Sequence, residues 1–592
     1  MSPHRFPGII DNATRARAVR AAQGEIPFDL LIVDGTLVDV LTGELRKADV
    51  GVTGAMIASV HPPSARLDAA ITYNAAGRWI CPGFIDTHVH FETSHLLPVY
   101  YAEQVVAQGT TTIFYDPHEL ANVFGLDGVR YAIEASRGLP LRFLCAAPSC
   151  VPSAEGLETS GAKFGGGEMQ EMLSWEDVAG VAEVMDMRGV LARTPRMVDV
   201  VSAGLNSGKL IEGHARGLAG PSLQAYLSAG VGSDHEITSG EDAVEKLRAG
   251  LAIEIRGSHD YVLPGVVEEL RKLPQIPSQV SICTDDVPPD YLVEKGGVSD
   301  VLRRLVGYGM NDVDAIRCAT FNASLRLRRP DLGAVCAGRI ADIAVLNSLE
   351  EFNVESVFVA GCHVVERGQW LVSLHESTSF PRLLHSVQVP ELREEDLQIS
   401  STASAAGTAR VRAILGMRFA EWRDIEVKVR DGFLELPEDA SMMYVRHRHG
   451  RHTGQGQCAI QLGIGRMRGA IATTYSHDSH NLVILGGSVE DMRAAGNALI
   501  RCGGGMAVAQ GGAVLAFVEF PVGGLLSDLA PASLAGKFRA LRDAASQVTD
   551  WKPPYWTFKA IEGTCLACNP GPHLTDLGLT DGTSHKLVSM FP

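Results

Sequence analysis

The sequence lacks any apolar run approaching the roughly 20 residues a bilayer-spanning helix needs, so no membrane segment is expected. It is short of positive charge: 52 Lys and Arg stand against 69 Asp and Glu, a net charge of −17 at pH 7. That balance argues against a nucleic-acid backbone as partner. The N-terminal stretch carries Arg15, Arg17 and Arg20 but no apolar core of a signal peptide. Of the 11 cysteines only Cys565 and Cys568 form a Cys-x-x-Cys, and no second pair lies near enough for a structural zinc site. No Gly-x-Gly-x-x-Gly follows an early strand, which weakens an open dinucleotide-binding sheet. Internal repeats and low-complexity segments are also missing. These absences leave a soluble, cytoplasmic protein with reduced thiols.

What is present suits a globular enzyme. The 592 residues exceed one core, and 46% apolar with 20% charged residues is ordinary. Asn12 or Thr14 is placed to cap a short N-terminal helix. Residues 29–60 read as short strands with turns at Asp34-Gly35 and Thr42-Gly43. From Cys81 onward, apolar strands alternate with helical stretches such as 99–108, 129–137, 223–229 and 242–249. Eight strands are expected to end near His90, Asp116, Ala146, Val184, His214, His235, Ile255 and Asp285. This alternation predicts an α/β fold, a (β/α)8 TIM-like barrel with its active site at the C-terminal strand ends. Helices follow at 298–308 and 312–328, and short strands return between Gly333 and Gly368. They resemble the first sixty residues in texture, so the two flanks are expected to join in one small β-sandwich domain.

The expected division is 1–80 (N-terminal helix and first part of the β domain), 81–330 (barrel), 331–390 (second part) and 391–592 (a C-terminal α/β domain). Residues 390–404 read as a polar linker, and residues 490–501 as the one clear helix of the last unit.

The organising stretch is Cys81-Pro-Gly-Phe-Ile-Asp-Thr-His-Val-His90. In an extended strand Asp86, His88 and His90 share one face. An isolated His-x-His is more often structural than ligating. Here, however, Glu183 ends the fourth strand, His214 the fifth, His235 the sixth and Asp285 the eighth. In a barrel all six donors converge on one rim. Four imidazoles and two carboxylates are enough for two divalent cations with a carboxylate between them. With no cysteine in the set, Zn2+, Fe2+ and Mn2+ all remain open. Paired cations ~3.5–4 Å apart activate a water and polarise an electrophile.

Several stretches carry a family resemblance. Asp86-x-His88-x-His90, with His214, His235 and Asp285, resembles the amidohydrolase superfamily. More narrowly, His88-Val-His-Phe-Glu-Thr-Ser94, Gly109-Thr-Thr-Thr-Ile113, Asp116-Pro-His-Glu-Leu-Ala-Asn122, Ala182-Glu-Val-Met185, Asp234-His-Glu236 and Ser476-His-Asp-Ser-His-Asn481 are similar to the bacterial adenine deaminases. The likeness spans most of the chain, including the unit after residue 410. It implies that His88, His90 and Asp285 hold one ion, His214 and His235 the other, and that Glu183 bridges. It also implies attack at purine C6, loss of ammonia, and Asp285 as the carrier of the proton from water to the leaving amine. Glu119 becomes the candidate for protonating or binding the ring edge, alongside His118 and Glu92 as substrate-binding candidates. The bland reading of His118 and Glu119 is that they brace the ligands. Glu92 and Glu236 are further candidates for hydrogen bonds to ligand histidines. Mn2+ or Fe2+ is favoured over Zn2+, with a purine as small-molecule partner and a homo-oligomer of two or more chains.

Three features stay open at this level. Ser476–Asn481 reads as a loop, an active-site contact or a third metal site. Arg446-His-Arg-His-Gly-Arg-His452 reads first as a solvated turn. The tail around Cys565 and Asn569-Pro-Gly-Pro572 departs from the family, so substrate preference can have drifted to a modified aminopurine. Among rivals, a cyclic-amide amidohydrolase shares every ligand. The cytidine-deaminase type of zinc site, prompted by His90-Phe-Glu92, lacks its Pro-Cys-x-x-Cys. A catalytically dead scaffold would be expected to have lost ligands, and all six remain.

Overall fold

The computed structural model describes residues 10–592, except 375–382, 385, 402–405, 418–419, 466 and 552–555. The end of the expected linker, at 402–404, lies outside the described residues.

Eight parallel strands form the centre. Phe84–Val89, Thr110–Tyr115, Arg142–Ala147, Val178–Val184 and Leu210–Gly213 pair in sequence order as one sheet. Ser233–Asp234, Ala252–Arg256 and Val280–Cys283 form a second. Backbone bonds cross both gaps. Gly232 N–H donates to the Ile211 carbonyl at 3.1 Å, Asp285 N–H to His88 at 3.0 Å and His90 N–H to Asp285 at 3.1 Å. The sheets therefore curl into a TIM-like barrel. All eight anticipated strand ends fall within three residues of the observed ones. The strands Phe84–Val89 and Thr110–Tyr115 are buried at every position, as sheets covered on both faces are.

Asp86 helps to close the circle. Its carboxylate accepts from the Thr284 backbone N–H at 3.0 Å and from the Thr284 hydroxyl at 2.5 Å, tying the first strand to the last. Burial pushes the Asp86 carboxyl up to about 7, and the Thr284 bonds oppose that rise. Asp86 thus fixes the strand end from which Asp285 projects.

On one side of the barrel, strands Thr36–Asp39, Glu44–Lys47 and Trp79–Pro82 share a seven-stranded sheet with Ile343–Leu346, Val354–Val359, Cys362–Glu366 and Gln369–Trp370. A four-stranded sheet of Phe28–Val33, Asp49–Thr53, Met56–His61 and Ala69–Asn74 packs with it through Ile32, Val50, Ile57, Ile343, Val345 and Phe358. The N-terminal helix Asn12–Gln23 is capped by Asp11, whose carboxylate accepts from Thr14 N–H at 2.7 Å. This corrects the expected cap by one residue: Asp11 presents an acceptor to the free N–H groups of the first turn.

Among the described residues after 406, a nine-stranded sheet carries three helices, two more than the one the sequence made clear: Val489–Cys502, Pro531–Val548 and Thr557–Cys565. The first matches expectation, with Ser488 accepting from Asp491 N–H and Gly503 in the left-handed conformation at its end. The third is buried on nearly every side, so its sequence shows no apolar stripe to read. It also holds Thr, Gly and Cys, all weak helix formers. No helix among the described residues is long and apolar enough to cross a membrane.

Candidate metal and catalytic centre

The barrel brings His88, His90, Glu183, His214, His235 and Asp285 together, all buried. His88 Nε2 and His90 Nε2 face each other at 3.1 Å. Glu183 spans the group. Its Oε1 lies 3.2 Å from His90 Nε2, and its Oε2 lies 2.6 Å from His214 Nδ1 and 3.3 Å from His235 Nε2. Asp285 Oδ1 is 3.3 Å from His88 Nε2 and 3.4 Å from His90 Nε2. Alternation along the first strand puts both histidines on one face, and the other donors project from strand ends.

The outer nitrogens of the first pair are engaged. His88 Nδ1 is 3.2 Å from Glu212 Oε2, and His90 Nδ1 is 3.0 Å from the Asp116 carbonyl. These acceptors place the protons on Nδ1 and leave two Nε2 lone pairs pointing at each other and at carboxylate oxygens. Lone pairs so arranged call for a cation between them. The donor set of imidazole and carboxylate without thiolate fits divalent transition metals. Without a cation, the surrounding carboxylates favour protons in its place. Burial disfavours charge on His88 and His90, but Asp285, with Glu212 for His88 and Glu183 for His90, outweighs it and holds both well above the usual histidine range. Burial would raise Glu183, yet His214, His235 and His90 bring it well below the carboxylate range.

Arg256, in the seventh strand, pairs with both Asp285 and Glu236, and Ser258 Oγ donates to Asp285 Oδ2 at 3.1 Å. Burial alone would raise the Asp285 carboxyl; Arg256 and the facing imidazoles keep it far below its ordinary value. Oδ2 is thereby anchored, and Oδ1 faces the histidines.

Above this group lies a cavity of about 650 Å3 of empty space, counted with its open mouth. His118 lies on its wall, whereas Glu119 and Glu92 do not. Glu119 stands behind His118 and His477. It accepts from Tyr475 OH at 3.0 Å and from His480 Nε2 at 2.5 Å, with His118 Nε2 at 3.4 Å and His477 Nδ1 at 3.3 Å. His118 Nδ1 meets Asp116 Oδ2 at 2.9 Å. Burial lowers His118, but Glu119 and Asp116 lift it to about 10.

The expected bonds from Glu92 and Glu236 to ligand histidines are absent. Neither Glu92 oxygen finds a hydrogen-bond partner, and burial, with Glu119 nearby, pushes its carboxyl up to about 8. Glu236 is occupied by Arg216 and Arg256. Glu212 serves His88 instead. It lies two residues before His214 on a four-residue strand, so the period-two pattern Glu212-x-His214 was its signal.

The stretch 476–481 reaches the cavity from the C-terminal unit: His477 and Asp478 line it, and His480 clamps Glu119. The basic run 446–452 is no solvated turn. Arg448 is fully buried and donates to the carbonyls of His480, Thr474 and Gly523 and to Ser386 Oγ. Its guanidinium satisfies three buried carbonyls and a hydroxyl, and so braces the 474–481 loop. The opposite wall adds Lys559, Glu562, Gly563, Leu566 and Asn569, none of which the sequence had singled out for the site apart from its doubt about the tail.

Comparison with known proteins agrees with this layout. An amidohydrolase family model matches residues 79–364, and a model of the adenine deaminase C-terminal domain matches 418–586. The chain is 57% identical over 574 residues to an adenine deaminase of Klebsiella pneumoniae subsp. pneumoniae, covering 97% of this chain and 95% of that protein. It is 55% identical over 579 residues to one from Serratia proteamaculans, covering 98% and 97%. An adenine deaminase 2 of Rhizobium johnstonii is 50% identical over 578 residues, covering 98% and 96%.

Proposed function

Because the chain belongs to the adenine deaminase family of amidohydrolases, we propose that it hydrolyses adenine at purine C6 to hypoxanthine and ammonia. The observation that carries this reading is Glu183, whose two oxygens divide between the His88–His90 and His214–His235 pairs. In this reading His88, His90 and Asp285 would hold one divalent cation and His214 and His235 the other, with Glu183 placed between the two groups. Mn2+, which carboxylates suit, or Fe2+, which imidazoles suit, would fit this mixed set, with Zn2+ as alternative. When bound, such a pair supplies the positive charge that makes a water nucleophilic at neutral pH.

The remaining steps belong to the chain. Asp285 Oδ1 takes the proton released by the attacking water and returns it to the departing N6, while Arg256 and Ser258 hold Oδ2 still. Attack breaks the aromatic ring system, so a ring nitrogen must gain a proton. His118, kept charged by Asp116 and Glu119, delivers it from the cavity wall and regains a proton from the C6 hydroxyl as the carbonyl forms, and Glu119 acts through His118. Glu92 lies off the cavity lining and makes no direct contact with the substrate in this reading. The barrel, 81–330, supplies the chemistry. The strands from Phe28 to Pro82 and from Ile343 to Trp370 form one small β-sandwich, and the C-terminal α/β domain caps the cavity.

The test is ammonia release by Mn2+-loaded protein offered adenine, hydantoins and dipeptides. Adenine alone should be turned over. Turnover of a cyclic amide with adenine left intact would transfer the protein to the other amidohydrolase chemistry that shares these ligands.

A further inference from the structure

The reacting carbon of a purine must face the metal ligands, so the edge carrying N3 and N9 points away from them. The C-terminal unit lends the cavity His477, Asp478, Lys559 and Glu562. On the helix Thr557–Cys565, Lys559 and Glu562 lie one turn apart and both line the cavity. Lys559 Nζ is 2.9 Å from Asp286 Oδ2, 3.4 Å from Glu562 Oε2 and 3.3 Å from His477 Nε2. Glu562 is 3% exposed, and its Oε2 accepts no hydrogen bond with proper geometry from any protein group. A buried carboxylate oxygen left in that condition is costly unless a ligand completes it. Asp286 anchors Lys559, which fixes the ammonium beside that open acceptor.

We propose that Lys559 and Glu562 are the specificity pair of this site, reading the N3/N9–H edge of a free aminopurine base. The match is one of donor and acceptor order. The ammonium donates to N3, which is an acceptor, and the carboxylate accepts from N9–H, which is a donor. A nucleoside, or any base alkylated at N9, offers no proton there and leaves Glu562 unpaired beneath it. Sites built around such a bond reject analogues lacking it far more strongly than apolar pockets reject a missing methyl.

This inference rests on the adenine reading above, and its test keeps the two apart. Metal-loaded enzyme is assayed with adenine, 9-methyladenine and 3-deazaadenine. No ammonia from adenine would remove the functional reading itself. With adenine turned over, the pair predicts a preference over 9-methyladenine of at least about 100-fold in kcat/KM. Glu562→Met should raise KM for adenine about tenfold or more, change kcat less, and leave 9-methyladenine untouched. Glu562→Gln, which keeps an acceptor, should recover part of the loss. Lys559→Met should erase the advantage of adenine over 3-deazaadenine. Equal use of adenine and 9-methyladenine by the wild-type enzyme would overturn the proposal. So would a Glu562→Met variant in which both substrates fall by the same factor, because that pattern marks a structural role.

Discussion

The two walls of the cavity are built on different principles. On the barrel side each functional group stands at the end of a strand whose position is set by ladder hydrogen bonds. His88, Glu183, His214 and Asp285 come from strands one, four, five and eight, yet their ligating atoms lie within a few ångströms. On the C-terminal side no ladder places the groups. Arg448 ties down the 474–481 loop, Asp286 anchors Lys559, and Glu119 is shared by His477, His480 and Tyr475. A scaffold of strand ends suits chemistry that tolerates no displacement. A wall of buried polar contacts suits selection, since it can change with the tail while the barrel stays fixed.

If this division is right, damage to the first wall removes turnover and damage to the second shifts substrate affinity. The largest effect is expected for His88→Asn, which should strip metal and abolish deamination while the chain stays soluble; metal analysis alongside ammonia assay checks both halves. Next comes Asp285→Asn. General acid–base catalysis contributes about 10²–10⁴-fold, so kcat should drop by about that factor while at least one cation is retained. Unchanged turnover would remove Asp285 as proton carrier. Glu212→Gln should weaken metal affinity about 10–100-fold through His88, with kcat restored at high metal concentration.

On the other wall, Tyr475→Phe removes one charge-assisted bond to Glu119 and should lower kcat/KM by about tenfold. The smallest effect on activity is expected at Glu158, which lies outside the cavity lining. Burial, with Asp478 nearby, raises its carboxyl to about 8 from an unfolded value near 4.5. Its folded-state pKa is the higher one, so its contribution to stability is full below the unfolded value and disappears as pH rises through about 8. Glu158→Gln should therefore flatten the decline in Tm between about pH 5 and 8, read by thermal melts across that range.

The first wall was the more legible in sequence for the same reason that it is rigid. Strands announce themselves by apolar runs, and a His or Asp at the end of each run is conspicuous. All six barrel donors were readable that way, and Glu212 was one period-two step from His214. The second wall gave weaker signals. Lys559 and Glu562 sit on a helix buried nearly all round, so no stripe marks their face. The run 446–452 looked like a solvated turn because charge usually marks surface. Arg448 overrides that rule because carbonyls of the 474–481 loop and of Gly523 need its donors. Glu119 was found from its motif, but its place behind His118 depends on Tyr475 and His480, more than 350 positions away in the chain.

The central claim is that donors scattered along the barrel grip two cations at one mouth. Metal-free protein titrated with Mn2+, with ammonia release from adenine followed at each addition, tests it most directly. Activity should climb to a plateau at two equivalents per chain, with Glu183→Gln failing to reach it. A plateau at one equivalent, or full turnover in protein stripped of metal, would contradict the account.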